Sequence, residues 1–184
     1  MIAIDQELQI LPGPEIISRL TTDMSEDEEQ KLAIEYFQQA YAHQRKGELD
    51  EAVELYKKSI EVFPTAEAHT FLGWTYSFMG RYDEAIAECH RAIEIDPDFG
   101  NPYNDIGAYL IEQGSLDEAI PWLEKATQAT RYENYCFPHY NLGRIYERKH
   151  LWHKAKECYR ASLQHNPQYT LATASLRRLQ ARMN

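Results

Sequence analysis

An all-α solenoid of four helical hairpins is the fold class the sequence predicts, on three observations. Ala52, Ala85, Ala119 and Ala155 recur 33, 34 and 36 residues apart. Ala40, Gly73, Gly107 and Gly143 precede them at the same three separations, and Pro64, Pro97 and Pro167 close three of the four units. A period in this range belongs to stacked supersecondary units, each of which buries its apolar face only against its neighbours.

Residues 1–32 form an acidic leader ahead of the repeats. Ile2, Ile4, Leu8, Ile10 and Leu11 make an apolar strip, Pro12-Gly13-Pro14 turns the chain, and Glu15 to Leu20 forms a short helix behind Pro14. The strip has no place inside the solenoid, so it docks on apolar surface, either on this chain's own groove or on another copy; a frayed tail is the alternative. Ser25 with Glu28 is a capping box that starts the first repeat helix near Glu26.

The second unit shows how each hairpin is written. His69, Leu72, Gly73 and Tyr76 make one helical stripe, ended by Gly80, and Tyr82, Ala85, Ile86, Cys89, Ala92 and Ile93 make a second, stopped by Pro97. Asp50-Glu51, Asp83-Glu84 and Asp117-Glu118 place negative charge in the first turn of three second helices, where free amides and the helix dipole favour it. His153-Lys154 breaks that rule in the fourth unit. The small residues permit a close helix crossing, so a bulky side chain at Ala85 overpacks it at a cost of about 1–3 kcal/mol. After the repeats, Ala172, Leu176, Leu179 and Met183 form the stripe of a capping helix over 170–184.

This combination resembles the tetratricopeptide repeat (TPR) family, whose pattern sets an aromatic, Leu-Gly and Tyr on the first helix and Ala, an aromatic, Ala and Pro on the second. The resemblance gives units at 33–65, 66–99, 100–135 and 136–169 and implies a right-handed superhelix with first helices lining its concave face. Gln39 and His43 depart from the pattern in the first unit, and Cys89 takes the place of the second-helix aromatic in the second. Two extra residues near Thr130–Asn134 set the turn between units three and four apart.

Charge and composition narrow the function. With 43% apolar and 26% charged residues the chain is globular in character, and a net charge of −10 with pI near 5.2 argues against nucleic-acid partners. The start lacks the basic, apolar pattern of a signal peptide, and nothing reads as a membrane span, so the expected location is cytoplasmic. Cys89, Cys136 and Cys158 are an odd, scattered set; the first and last read as buried hydrophobes, and Cys136, beside the insertion, as more exposed. Cys89-His90, Cys136 with His139, and His150 with His153 each offer two ligands where a structural zinc site needs four, so neither metal nor cofactor is expected. Phosphate-loop, nucleophile-elbow and metalloprotease motifs are absent, and the reading is a non-catalytic protein.

The predicted binding surface is the concave face. Phe71, Trp74 and Phe78 fall on the side of their helix opposite Leu72 and Tyr76. The matching face presents Phe37 and Tyr41 in the first unit, Asn101, Asn104 and Asp105 in the third, and Phe137, Tyr140, Asn141, Arg144 and Arg148 in the fourth. Aromatic anchors beside Asn and Arg suit an extended or helical peptide of a protein partner. Gap-filling between neighbouring first helices is the competing role, for Phe71 above all. The family's carboxylate clamp for chaperone tails is not matched in either register, which reads Phe37, Tyr41, Phe71, Asn101 and Asp105 or Thr70, Trp74, Asp105, Phe137 and Asn141.

Two further readings stand beside the groove. Residues 1–32 carry 2 basic and 8 acidic groups, 33–135 carry 8 and 19, 136–169 carry 6 and 2, and 170–184 carry 3 and 0. That asymmetry suits head-to-tail self-association into a scaffold. The size and acidity also resemble secretion-type TPR chaperones, whose client would be an apolar segment.

Overall fold

The computed structural model describes residues 24–183, and the leader strip, the Glu15–Leu20 helix and their docking lie outside the described residues. The chain is an all-α solenoid in which paired helices stack in sequence order. The pairs are α1 (Glu26–Lys46) with α2 (Leu49–Val62), α3 (Ala66–Phe78) with α4 (Tyr82–Ile95), α5 (Gly100–Gln113) with α6 (Leu116–Ala126), and α7 (Cys136–Arg148) with α8 (Trp152–His165). A last helix, α9 (Thr170–Met183), lies on α8 and covers its apolar side through Ala172 and Leu179, both fully buried.

Local chemistry explains the boundaries. The Ser25 amide donates to Glu28 Oε2 at 2.8 Å, the reciprocal half of a capping box, and Thr65 Oγ1 accepts from the Ala68 amide at 3.1 Å to open α3. Gly47, Gly80 and Gly114 turn three hairpins with φ of 82°, 75° and 86°; the fourth places His150 in the same left-handed region at 58°.

The core runs continuously between the paired helices. Tyr36, Tyr56, Leu72, Ile106, Leu123 and Ile145 are buried there around Ala40, Ala52, Ala85 and Ala119. At the second crossing a Cβ on Gly73 would stand 2.9 Å from the Ala85 carbonyl oxygen, so the backbones meet at a distance that only glycine allows. One polar device is repeated at both ends of the stack: Ser59 Oγ donates to the Ala33 carbonyl at 2.8 Å and Ser162 Oγ to the Cys136 carbonyl at 2.7 Å.

That second bond corrects one expectation. Cys136 is 3% exposed, because it opens α7 at the register held by Ala33 and Ala66, where the first helix meets the second. Proximity to the insertion in sequence did not make it part of the loop. The free thiols of Cys89 and Cys136 are buried and that of Cys158 half-buried.

The connection from Thr127 to Tyr135 doubles back along the stack. Arg131 exchanges backbone hydrogen bonds with the α4–α5 turn, donating to the Asp98 carbonyl at 3.0 Å and accepting from the Gly100 amide at 3.1 Å. Its guanidinium pairs with Glu67 at 2.7 Å and Asp96 at 2.6 Å and lies 4.1 Å from the Phe99 ring centre. The inserted residues thereby fasten unit three to unit two. Among the described residues no helix is long and apolar enough to cross a membrane.

Candidate interaction groove

Four first helices, α1, α3, α5 and α7, carry the residues the sequence singles out, and their side chains fall into three connected zones. At the front, Phe71 is half-buried and wedged between α1 and α3, with ring centres 5.1 Å from Phe37 and 5.7 Å from Tyr41, both edge-on. Gap-filling is therefore one of its roles. From it the row continues outward to Trp74 at 5.6 Å and from Trp74 to Phe78 at 5.3 Å. Tyr41, Trp74 and Phe78 are 40%, 41% and 55% exposed, so this row is supported from behind and open in front. Such packing restrains the rings that stand open.

The middle zone is a cavity of about 190 Å³ lined by Thr70, Phe71, Trp74, Asn101, Asn104, Asp105, Tyr132, Asn134 and Phe137. Six of these are sequence-selected positions, drawn from α3, α5 and α7. Thr70, Tyr132 and Asn134 are the walls that sequence reasoning missed. The insertion at Thr130–Asn134 was a signal that this loop is special, but its direction depends on Arg131 finding Glu67 and Asp96, which spacing does not reveal.

Behind the cavity a polar chain ties α5 to α7. Asn104 Nδ2 donates to Asp105 Oδ1 at 3.2 Å, and Asn141 Nδ2 donates to Asn104 Oδ1 at 3.1 Å. Arg144 then donates to Asn141 Oδ1 at 3.3 Å and to Glu112 Oε1 at 2.7 Å. Asn104 and Asn141 are buried, and their paired amides satisfy one another. Burial raises the Asp105 carboxyl to about 7, against the smaller opposing effect of the Asn104 donor.

The rear zone is different again. Phe137 is 37% exposed and edge-on to Tyr169 at 5.4 Å, and Tyr140 rests on Tyr159 and Tyr169. Arg148 donates to the Ile111 carbonyl at 2.9 Å, and with Arg144, Arg178 and Arg182 it surrounds Glu147 and His150 in a second, more polar hollow. Glu147 accepts from Tyr159 at 2.7 Å and Arg178 at 2.9 Å, which hold its carboxyl below the usual range although burial works the other way. Phe37, Tyr41 and Phe78 thus lie with the aromatic front, and Tyr140, Arg144 and Arg148 with the charged rear; the central cavity joins them.

Comparison with known proteins agrees with the repeat reading. Tetratricopeptide repeat models match residues 33–66, 66–99, 103–131 and 136–169. Heat shock protein STI1 of Saccharomyces cerevisiae is 31% identical over 52% of this chain, which spans 17% of that protein. Type IV pilus assembly protein PilF of Pseudomonas aeruginosa is 28% identical over 85% of this chain and 63% of its own length. The solved PilF structure shares the fold with a TM-score of 0.78 at 24% identity, covering 84% of this chain and 70% of that one. YrrB, a TPR protein with an unusual peptide-binding site, matches with a TM-score of 0.64 at 20% identity over 88% of this chain and 84% of its own. With its small-residue crossings, its stacked hairpins and these matches over most of its length, the chain belongs to the tetratricopeptide repeat family.

Proposed function

We propose that this protein is a non-catalytic interaction module that binds a peptide or helix of a partner protein along its concave face. The observation that carries the reading is the convergence of Phe71, Trp74, Asn101, Asn104, Asp105 and Phe137 from three separate first helices on one cavity. Beside it, Trp74 and Phe78 present open aromatic surface on a braced helix, the arrangement that concentrates binding energy in a few anchors. Further support comes from the family, whose members are generally interaction modules rather than enzymes, and from the peptide-binding site attributed to YrrB. We assign the protein to the cytoplasm, a compartment in which three cysteine thiols stay reduced.

The test is selection of a random peptide library on the full chain and on Trp74→Ala, with circular dichroism to verify that both keep their helices. Peptides enriched on the parent protein are expected to weaken on Trp74→Ala by about tenfold or more, as for a central aromatic anchor. Equal binding to both proteins overturns the groove.

A further inference from the structure

We propose that the central cavity is a receptor for one basic side chain, the ammonium of a lysine or the guanidinium of an arginine, held between aromatic walls above the Asp105 carboxylate. The inference rests on the groove reading and names what the partner inserts there.

Two features of the cavity select that chemistry. Four of its lining residues are aromatic: Phe71 and Trp74 from α3, Phe137 from α7 and Tyr132 from the loop. Aromatic faces attract organic cations through the ring quadrupole, and more strongly where water is displaced. The lining also includes the Asp105 carboxylate, which accepts from the Asn104 amide at 3.2 Å. A group that brings its own donors and a positive charge completes the site, whereas an anion meets Asp105.

The surrounding charges leave that role open. Arg131 is committed to Glu67 and Asp96, and Arg144 to Glu112 and Asn141. The titratable groups whose charge acts on or is acted on by Asp105 are the Cys89 thiol from α4, Tyr109 of α5 and Tyr132 of the loop, each shifted upward by burial and none positive. Asp105 is accordingly a recessed carboxyl with no cationic partner among the described residues, consistent with burial raising it to about 7. A single carboxylate among aromatic rings is a poor seat for a hard metal ion, which needs several oxygen ligands, and a good one for a soft organic cation.

Two experiments on the full chain test the site and separate it from the groove. In the first, n-butylammonium and n-butylguanidinium are titrated against the neutral n-butylurea, following the Trp74 indole and Asp105 by NMR. The cations are expected to shift both signals and to lower the Asp105 pKa. Asp105→Asn should remove the preference for cation over neutral probe, with circular dichroism and the Phe78 signals unchanged. Equal shifts from the neutral probe, or cation shifts that survive Asp105→Asn, overturn the proposal. The second uses peptide pools with apolar flanks and a central Lys, Arg, norleucine or Glu. Lys and Arg pools are expected to bind about tenfold tighter than norleucine, the size of a partly desolvated cation–π contact with a carboxylate behind it. Pools that all bind alike sink the basic-residue site and leave the groove standing. Pools that all fail, while the small cations still select Asp105, sink the groove and leave the cation pocket.

Discussion

In the first hairpin Tyr56 donates its hydroxyl to Gln44 at 2.8 Å; in the fourth, Tyr159 occupies the same register and donates to Glu147 at 2.7 Å. The surrounding frame is repeated as closely, with Ser59 on the Ala33 carbonyl and Ser162 on that of Cys136. What differs is the partner of the acceptor. Gln44 is neutral and enclosed, whereas Glu147 also receives Arg178, so the last hairpin is tied by charge to the capping helix. The first helices follow the same division: Phe37 and Tyr41 in the first unit become Tyr140 and Arg144 in the fourth. The repeat therefore fixes where side chains stand, and each unit chooses what they do.

The largest effect should come from the feature both hairpins share. Tyr56→Ala and Tyr159→Ala each remove a fully buried ring and are expected to cost about 3–5 kcal/mol, read from urea unfolding midpoints. Comparable losses would place stability in the common frame. A near-neutral Tyr159→Ala would mean that the charged network at Glu147, rather than the ring, secures the last unit.

How far this was legible in sequence follows from what each feature depends on. The small residues at crossings and the stripe of Leu72 and Tyr76 act within one helical repeat, so spacing reveals them. The directions of Trp74 and Phe78 follow from helical angle alone. The bond from Asn141 to Asn104 depends instead on the distance between two helices, and the walls supplied by Tyr132 and Asn134 depend on the path of a loop. The buried pair of His69 and Glu88, 2.7 Å apart and joined by Arg91, escaped for the same reason: the partners lie on different helices. Cys136 was misplaced because its sequence neighbours were loop residues, while its register was that of a helix start.

The next effect separates the two hairpins by charge. Glu147→Gln keeps an acceptor for Tyr159, as Gln44 serves Tyr56, but surrenders the carboxylate to Arg178; a cost of about 1 kcal/mol at neutral pH is expected. The folded pKa of Glu147 is depressed, so its contribution is full above the unfolded carboxyl value of about 4.3 and fades as pH falls through the lower folded value. The gap between parent and Glu147→Gln should thus close in acid, measured as the difference between two unfolding curves so that other carboxyls cancel. A gap unchanged at low pH would assign the effect to packing.

The smallest expected effect lies in the turns, where the comparison can be exchanged residue for residue. Gly47 and His150 end equivalent first helices with φ of 82° and 58°, a region in which a side chain is strained and glycine is not. A Cβ at Gly47 would meet no atom within 4 Å, so Gly47→His tests backbone strain with little steric cost and should destabilise by about 1 kcal/mol. His150→Gly should return up to about that amount, less whatever the edge-on contact with Trp152 at 5.0 Å contributes. Thermal unfolding of the two single variants and the double exchange measures both halves. If His150→Gly destabilises, the Trp152 contact outweighs the strain, and the fourth turn is held by side-chain packing where the first is held by backbone freedom.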